Sequence, residues 1–141
     1  MKWQLCIVLL SVLSFSGYAQ QRIDRIAICQ GMGEAVSLIQ AEREAGVDDS
    51  DNKGLAVISR ISEHARRDLR PAIDAFISHT HTLTAEWTGT LYTHACIMNY
   101  DSNDATVSLM VTFIPLRCDI ASADIHCAQE VYQNLPDGGI I

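Results

Sequence analysis

Lysine and arginine are scarce in this chain, ten against 17 acidic residues among 141, for a net charge of −7 with histidine neutral. Nucleic acid and anionic lipid both repel such a surface, so neither is expected as a main partner, whereas a basic protein is. Long apolar sequence is equally thin. Only Leu5–Phe15 is uncharged and mostly apolar, and its eleven residues fall short of the roughly 18–20 that a membrane span requires. There is no GxSxG elbow for a serine nucleophile, no HExxH pair for a catalytic zinc, and no CxxC pair for a structural one. Repeats, low-complexity tracts and a domain linker are also missing.

The one apolar run reads as a leader. Lys2 supplies a positive start, Leu5–Phe15 the apolar stretch, and Gly17-Tyr18-Ala19 small residues at the −3 and −1 positions. That three-part pattern predicts a cleavable signal peptide over 1–19 and a mature chain starting near Gln20. Cys6 lies inside the run and not at its end, so it does not match a lipoprotein acylation site. The expected mature chain, 20–141, has 122 residues, a balance of nine basic against 17 acidic, and the length of one globular domain. The expected compartment is periplasmic or secreted, with no membrane span in the mature form.

Removing Cys6 leaves Cys29, Cys96, Cys118 and Cys127. An even number in an exported chain predicts two disulfides. Of the three connectivities, Cys29–Cys96 with Cys118–Cys127 is favoured, because the first staples distant helices and the second closes a short loop. A free catalytic thiol would leave an odd partner.

Helical spacing dominates the first half. Ile28, Met32, Ala35 and Ile39 recur at three- and four-residue steps across 23–45, and Gly46 is placed to stop that helix. Asp48-Asp49-Ser50-Asp51-Asn52 is a polar break rich in capping residues. A second helix follows, with Leu55, Ile58, Ile61, Ala65 and Leu69 inward and a basic end at Arg66, Arg67 and Arg70. Pro71 ends or kinks it before a short helix over 72–78. Thr80, Thr82 and Thr84 alternate as a strand would, yet Thr84-Ala85-Glu86 also reads as a cap and first turn, predicting a helix over 85–99. After the turn at 101–104, Val107, Leu109, Val111 and Phe113 alternate with Thr106, Ser108, Met110 and Thr112, a strand pattern. A lone strand is unstable, so this segment either pairs or is a helix. Pro115 ends it, and Ser122 is placed to cap a last helix over 123–135. The fold class is mainly α: a small disulfide-stapled helical bundle, with one or two short strands allowed in the C-terminal third.

With these pieces located, the chain resembles a loose set of small exported bacterial proteins with a paired-cysteine helical core. The resemblance rests on Cys29 in the first helix, the run from Ala35 through Ile39-Gln40 and Arg43 to Gly46, and the Leu83-Thr84-Ala85-Glu86 helix that returns Cys96. It covers about 23–97, and periplasmic immunity proteins share the general build. Residues 101–141, with Cys118 and Cys127, depart from it.

Candidate chemistry is sparse. His79 and His81 would share a face on a strand and offer two metal ligands, but on a helix they diverge by about 200°. His64, His94 and His126 supply no spaced third ligand. Gln30-Gly31-Met32-Gly33-Glu34 contains GxG without a preceding strand, so helix–helix approach explains it better than a phosphate loop. Arg60, Arg66, Arg67 and Arg70 suit a solvated helix end, with Glu63 spaced to pair with Arg67. Carboxylates are plentiful, but their separation decides any glycosidase reading. The resulting expectation is an exported, non-enzymatic binding protein without cofactor, most concretely a periplasmic inhibitor or immunity protein against a secreted toxin enzyme. The acids Asp48, Asp49, Asp51, Asp101 and Asp104 are its expected contacts. The rival readings are an envelope structural or assembly protein, and a small hydrolase or metal carrier using His79 and His81.

Overall fold

A computed structural model describes residues 24–136. The expected leader, its cleavage point and the C-terminal 137–141 lie outside the described residues. Among the described residues six helices follow one another: α1 over 24–44, α2 Lys53–Ala65, α3 Arg70–His79, α4 Ala85–Met98, α5 Asp104–Arg117 and α6 Ile125–Gln133. Among the described residues there is no strand, and no helix is long and apolar enough to cross a membrane.

α4 is the axis. Trp87, Thr88, Gly89, Leu91, Tyr92, Thr93, His94 and Ala95 are all buried, so this helix is enclosed around most of its circumference. Thr84 starts it, its hydroxyl accepting from the Trp87 N–H at 3.2 Å, and Asn99 stops it in the left-handed region at φ 64°. α1 packs antiparallel to α4 through Cys29, Met32, Ala35, Val36 and Ile39. The buried stripe starts at Cys29 and not, as the spacing predicts, at Ile28, which is 62% exposed.

Two glycines set the α1–α4 distance. A Cβ on Gly33 would lie 2.6 Å from the Gly89 carbonyl, and one on Gly89 would lie 2.6 Å from that of Gly33, so the helices touch backbone to backbone. Gly54 makes the same contact for α2, whose first turn crosses α1 at Ala35 and Ile39. Buried Asn52 fixes that crossing. Its Oδ1 accepts from the Leu55 N–H at 2.9 Å while its Nδ2 donates to the Ile39 carbonyl at 3.2 Å.

The chain returns as α5, which packs against α3, and α6 packs against both α4 and α5. Cys29–Cys96 joins α1 to the end of α4 with Cα atoms 5.6 Å apart, and Cys118–Cys127 joins the end of α5 to α6 at 6.0 Å. Trp87 Nε1–H donates to the Ile120 carbonyl at 3.1 Å, pinning the α5–α6 loop to the start of α4. One apolar core runs through all six helices.

The segment with the strand pattern is helix α5. Its buried residues Thr106, Val107, Met110 and Ile114 recur at helical steps, and Asn103 caps it by accepting from the Thr106 N–H at 3.2 Å. Pro115 sits inside its last turn instead of ending it; the turn continues to Arg117 because only one N–H is forfeited there. The second helix also ends earlier than its spacing predicts. Arg66 adopts φ 53°, Leu69 precedes α3, and Pro71 lies in the first turn of α3, where its missing N–H costs nothing. The Glu63–Arg67 spacing therefore does not lie on one helix. Asp124, not Ser122, caps α6, accepting from the His126 N–H at 2.9 Å.

Candidate functional site

The two groups of aspartates proposed from sequence sit at opposite ends of the α1–α4 pair. Asp101 and Asp104 follow the end of α4, next to the Cys29–Cys96 bridge, whereas Asp48, Asp49 and Asp51 follow the end of α1. From Cys29 to Gly46 the helix rise alone is about 25 Å. They do not form one surface.

Asp49 is moreover committed to the protein itself. Arg43 on α1 grips it with two hydrogen bonds, Nε at 2.9 Å and a terminal nitrogen at 3.0 Å, and also reaches Asp74 of α3 at 2.9 Å. Arg70 bonds Asp49 as well and lies 3.4 Å from Asp74. The hydrogen bond from Arg43 holds the Asp49 carboxyl below its usual range. This quartet ties the α1–α2 loop to α3. Asp48 and Asp51 remain exposed, as do Asp101 and Asp104.

The histidines do not converge. His79 and His81 each place Nδ1 against a backbone carbonyl, Ala75 at 2.8 Å and Ser78 at 2.7 Å. Among the described residues no group of three or more His, Cys, Asp or Glu is placed to hold a metal ion.

His94 is different, because it is buried. Its Nε2–H donates to Gln129 Oε1 of α6 at 2.7 Å, and its Nδ1 accepts from the Tyr100 hydroxyl at 2.6 Å. Tyr100 stacks on Tyr132 with centroids 4.9 Å apart and planes at 8°. Burial lowers the His94 pKa and raises that of Tyr100, while Tyr92 is pushed up to about 12. The neutral imidazole thus has both nitrogens satisfied and no spare atom for a substrate. The cluster locks α6 onto α4.

The surface is concave where α1 crosses α4. A cleft of about 480 Å³ lies there, with Gly33, Ser37 and Gly89 among its lining, Leu38 on its α1 side, and Glu34 and Glu86 on its two helices. A second hollow of about 480 Å³ shares Glu34, Thr90 and Thr93 with it and runs to Asp124 and Ile125 at the start of α6. No lysine or arginine lines either. Sequence reading missed Glu34, Glu86 and Asp124, which are scattered along the chain. Gly31-Met32-Gly33 was the available signal, as a point of helix approach.

Charge is unevenly distributed along the chain, although Arg25 of α1 reaches the end of α4, donating to the Cys96 carbonyl at 3.3 Å. From Ala85 to Gln133 there are six carboxylates, Glu86, Asp101, Asp104, Asp119, Asp124 and Glu130, all exposed, against a single Arg117. Arg60, Arg66, Arg67 and Arg70 lie exposed on α2, α3 and their connection. No protein family, curated protein or solved structure matches the chain.

Proposed function

We propose that this chain is an exported, non-enzymatic binding protein, and most concretely a periplasmic inhibitor or immunity protein that neutralises a secreted toxin enzyme with a basic surface. The observation that carries this reading is the excess of exposed acid: along 85–133 six exposed carboxylates accompany one arginine. Such a field steers and orients an approaching basic protein, raising the association rate more than the final affinity. Two disulfides support an oxidising compartment. They also brace the helices, so little ordering entropy is lost on binding.

The test is affinity capture from periplasmic extract with the mature protein as bait, followed by association kinetics on the captured partner at two ionic strengths. Asp101→Asn with Asp104→Asn should slow association several-fold at low salt and flatten its salt dependence. Asp48→Asn with Asp51→Asn should act in the same direction, since each loop carries exposed acids beside arginine, Arg43 and Arg70 at one and Arg25 at the other. Unchanged association in the first pair would reject the steering role, and an enzyme activity abolished by His79→Ala or His81→Ala would replace the reading.

A further inference from the structure

We propose that the cleft between α1 and α4 is the seat for a basic segment of the partner protein, one that places a small apolar side chain between two cationic ones. This deepens the binding reading above and rests on it. The floor is made by the glycine contact: with no Cβ on Gly33 or Gly89, the helices meet at backbone distance and leave a trough over the contact. Leu38, 37% exposed, gives one wall an apolar character, and Thr90 and Thr93 line the other. A volume of about 480 Å³ is in the range of recognised binding clefts, roughly 300–1,000 Å³.

Charge selects the occupant. Glu34 stands on the α1 side and Glu86 on the α4 side, and the cleft continues past Thr90 to Asp124. Glu34 and Glu86 make no hydrogen bond or ion pair within the described residues, and no cation of the protein lines the trough. Asp124 uses one carboxylate oxygen to cap α6. Glu86 precedes Thr90 by one helical turn, about 5–6 Å, so the carboxylates on the two walls are staggered along the trough. An acidic or neutral segment would leave them desolvated and unpaired, which is costly. A segment with arginine or lysine on either side of an alanine- or leucine-sized residue pairs both and fills the floor.

The probe is a short blocked peptide with a leucine–alanine centre flanked by arginines, alongside its glutamate-flanked counterpart. Amide chemical-shift mapping on the mature, oxidised protein should place the arginine peptide at Gly33, Ser37, Gly89 and Thr90, with no shifts from the glutamate peptide. Glu34→Gln with Glu86→Gln should weaken binding roughly tenfold by removing two charge pairs, and Ser37→Arg should abolish it by filling and neutralising the trough. Absence of binding, shifts centred on Asp101 and Asp104, or equal affinity in the Glu34→Gln/Glu86→Gln variant would each overturn the proposal. A captured partner whose binding survives Ser37→Arg but slows with Asp101→Asn and Asp104→Asn would reject the cleft and leave the inhibitor reading standing.

Discussion

Gly31 and Gly33 are two residues apart on α1, and alanine should act on them in opposite directions. Replacing a helix-interior glycine by alanine normally gains about 1 kcal/mol, because the backbone has less freedom to lose. At Gly31 a Cβ meets nothing within 4 Å, so Gly31→Ala should gain that amount. At Gly33 the same methyl group would lie 1.9 Å from Thr93 Oγ1 and 2.6 Å from the Gly89 carbonyl oxygen. Thr93 cannot swing away without breaking its 3.0 Å bond to that same carbonyl. The backbone cannot retreat easily either, since Cys29–Cys96 clamps α1 to α4 one turn away. Overpacking of this kind costs about 3 kcal/mol at the upper end of its range. Net of the propensity gain, Gly33→Ala should lose about 2 kcal/mol. For a domain of this size each kcal/mol moves the melting temperature by about 4 °C. Gly31→Ala should therefore melt roughly 4 °C higher and Gly33→Ala roughly 8 °C lower than the parent. Thermal unfolding followed by far-ultraviolet circular dichroism on the oxidised proteins reads both. If Gly33→Ala is as stable as Gly31→Ala, α1 and α4 do not meet at these glycines and the packing described above is wrong.

The two disulfides should differ in value. Cys29–Cys96 spans 67 residues and Cys118–Cys127 spans nine, so loop-closure entropy assigns about 4 and about 3 kcal/mol; urea midpoints of the paired Cys→Ala variants test the order. His94 should make stability fall on mild acidification. Its pKa is lowered in the folded state from 6.5, so the unfolded chain binds the extra proton first. The contribution is intact above pH 6.5 and is lost as pH falls from there toward the folded pKa. Urea unfolding at pH 7.5 and pH 5 should show this slope in the parent and a shallower one in His94→Gln; equal slopes would mean His94 does not titrate differently on folding.

How far the sequence led depends on whether one face or all faces of a helix are buried. α1 and α2 keep a polar side, so their three- and four-residue steps stand out, and Thr84 announces α4 through an ordinary cap. α5 is apolar or threonine-rich around most of its circumference, with Leu109, Val111 and Phe113 half-buried beside the fully buried Val107 and Met110. On such a segment a period of two and a period of 3.6 fit the same residues. What decides is the local chemistry at its start, Asn103 followed by Asp104, which reads as a turn until the helix it caps is known. Pro115 misled for a related reason, since proline forbids a helical bond to the fourth residue before it but does not forbid one more turn.

The cleft was hidden by register and not by residue type. Once Cys29 is paired with Cys96, an antiparallel α1 and α4 must keep facing positions near a constant sum of residue numbers. That sum is 125 at the disulfide, 126 where Ser37 meets Gly89, and 123 where Gln40 Nε2 donates to the Leu83 carbonyl at 3.0 Å. The cysteine pairing therefore brings Gly33 and Ser37 against the Gly89–Thr93 stretch, and Glu34 and Glu86 onto the two banks of one trough. The aspartates of the loops were conspicuous because they cluster in sequence, yet Asp49 is consumed by Arg43 and Arg70. Sequence clustering marks where charges are written, and helix register marks where they can be used together. On this fold the second is what sets Glu34 and Glu86 on facing helices.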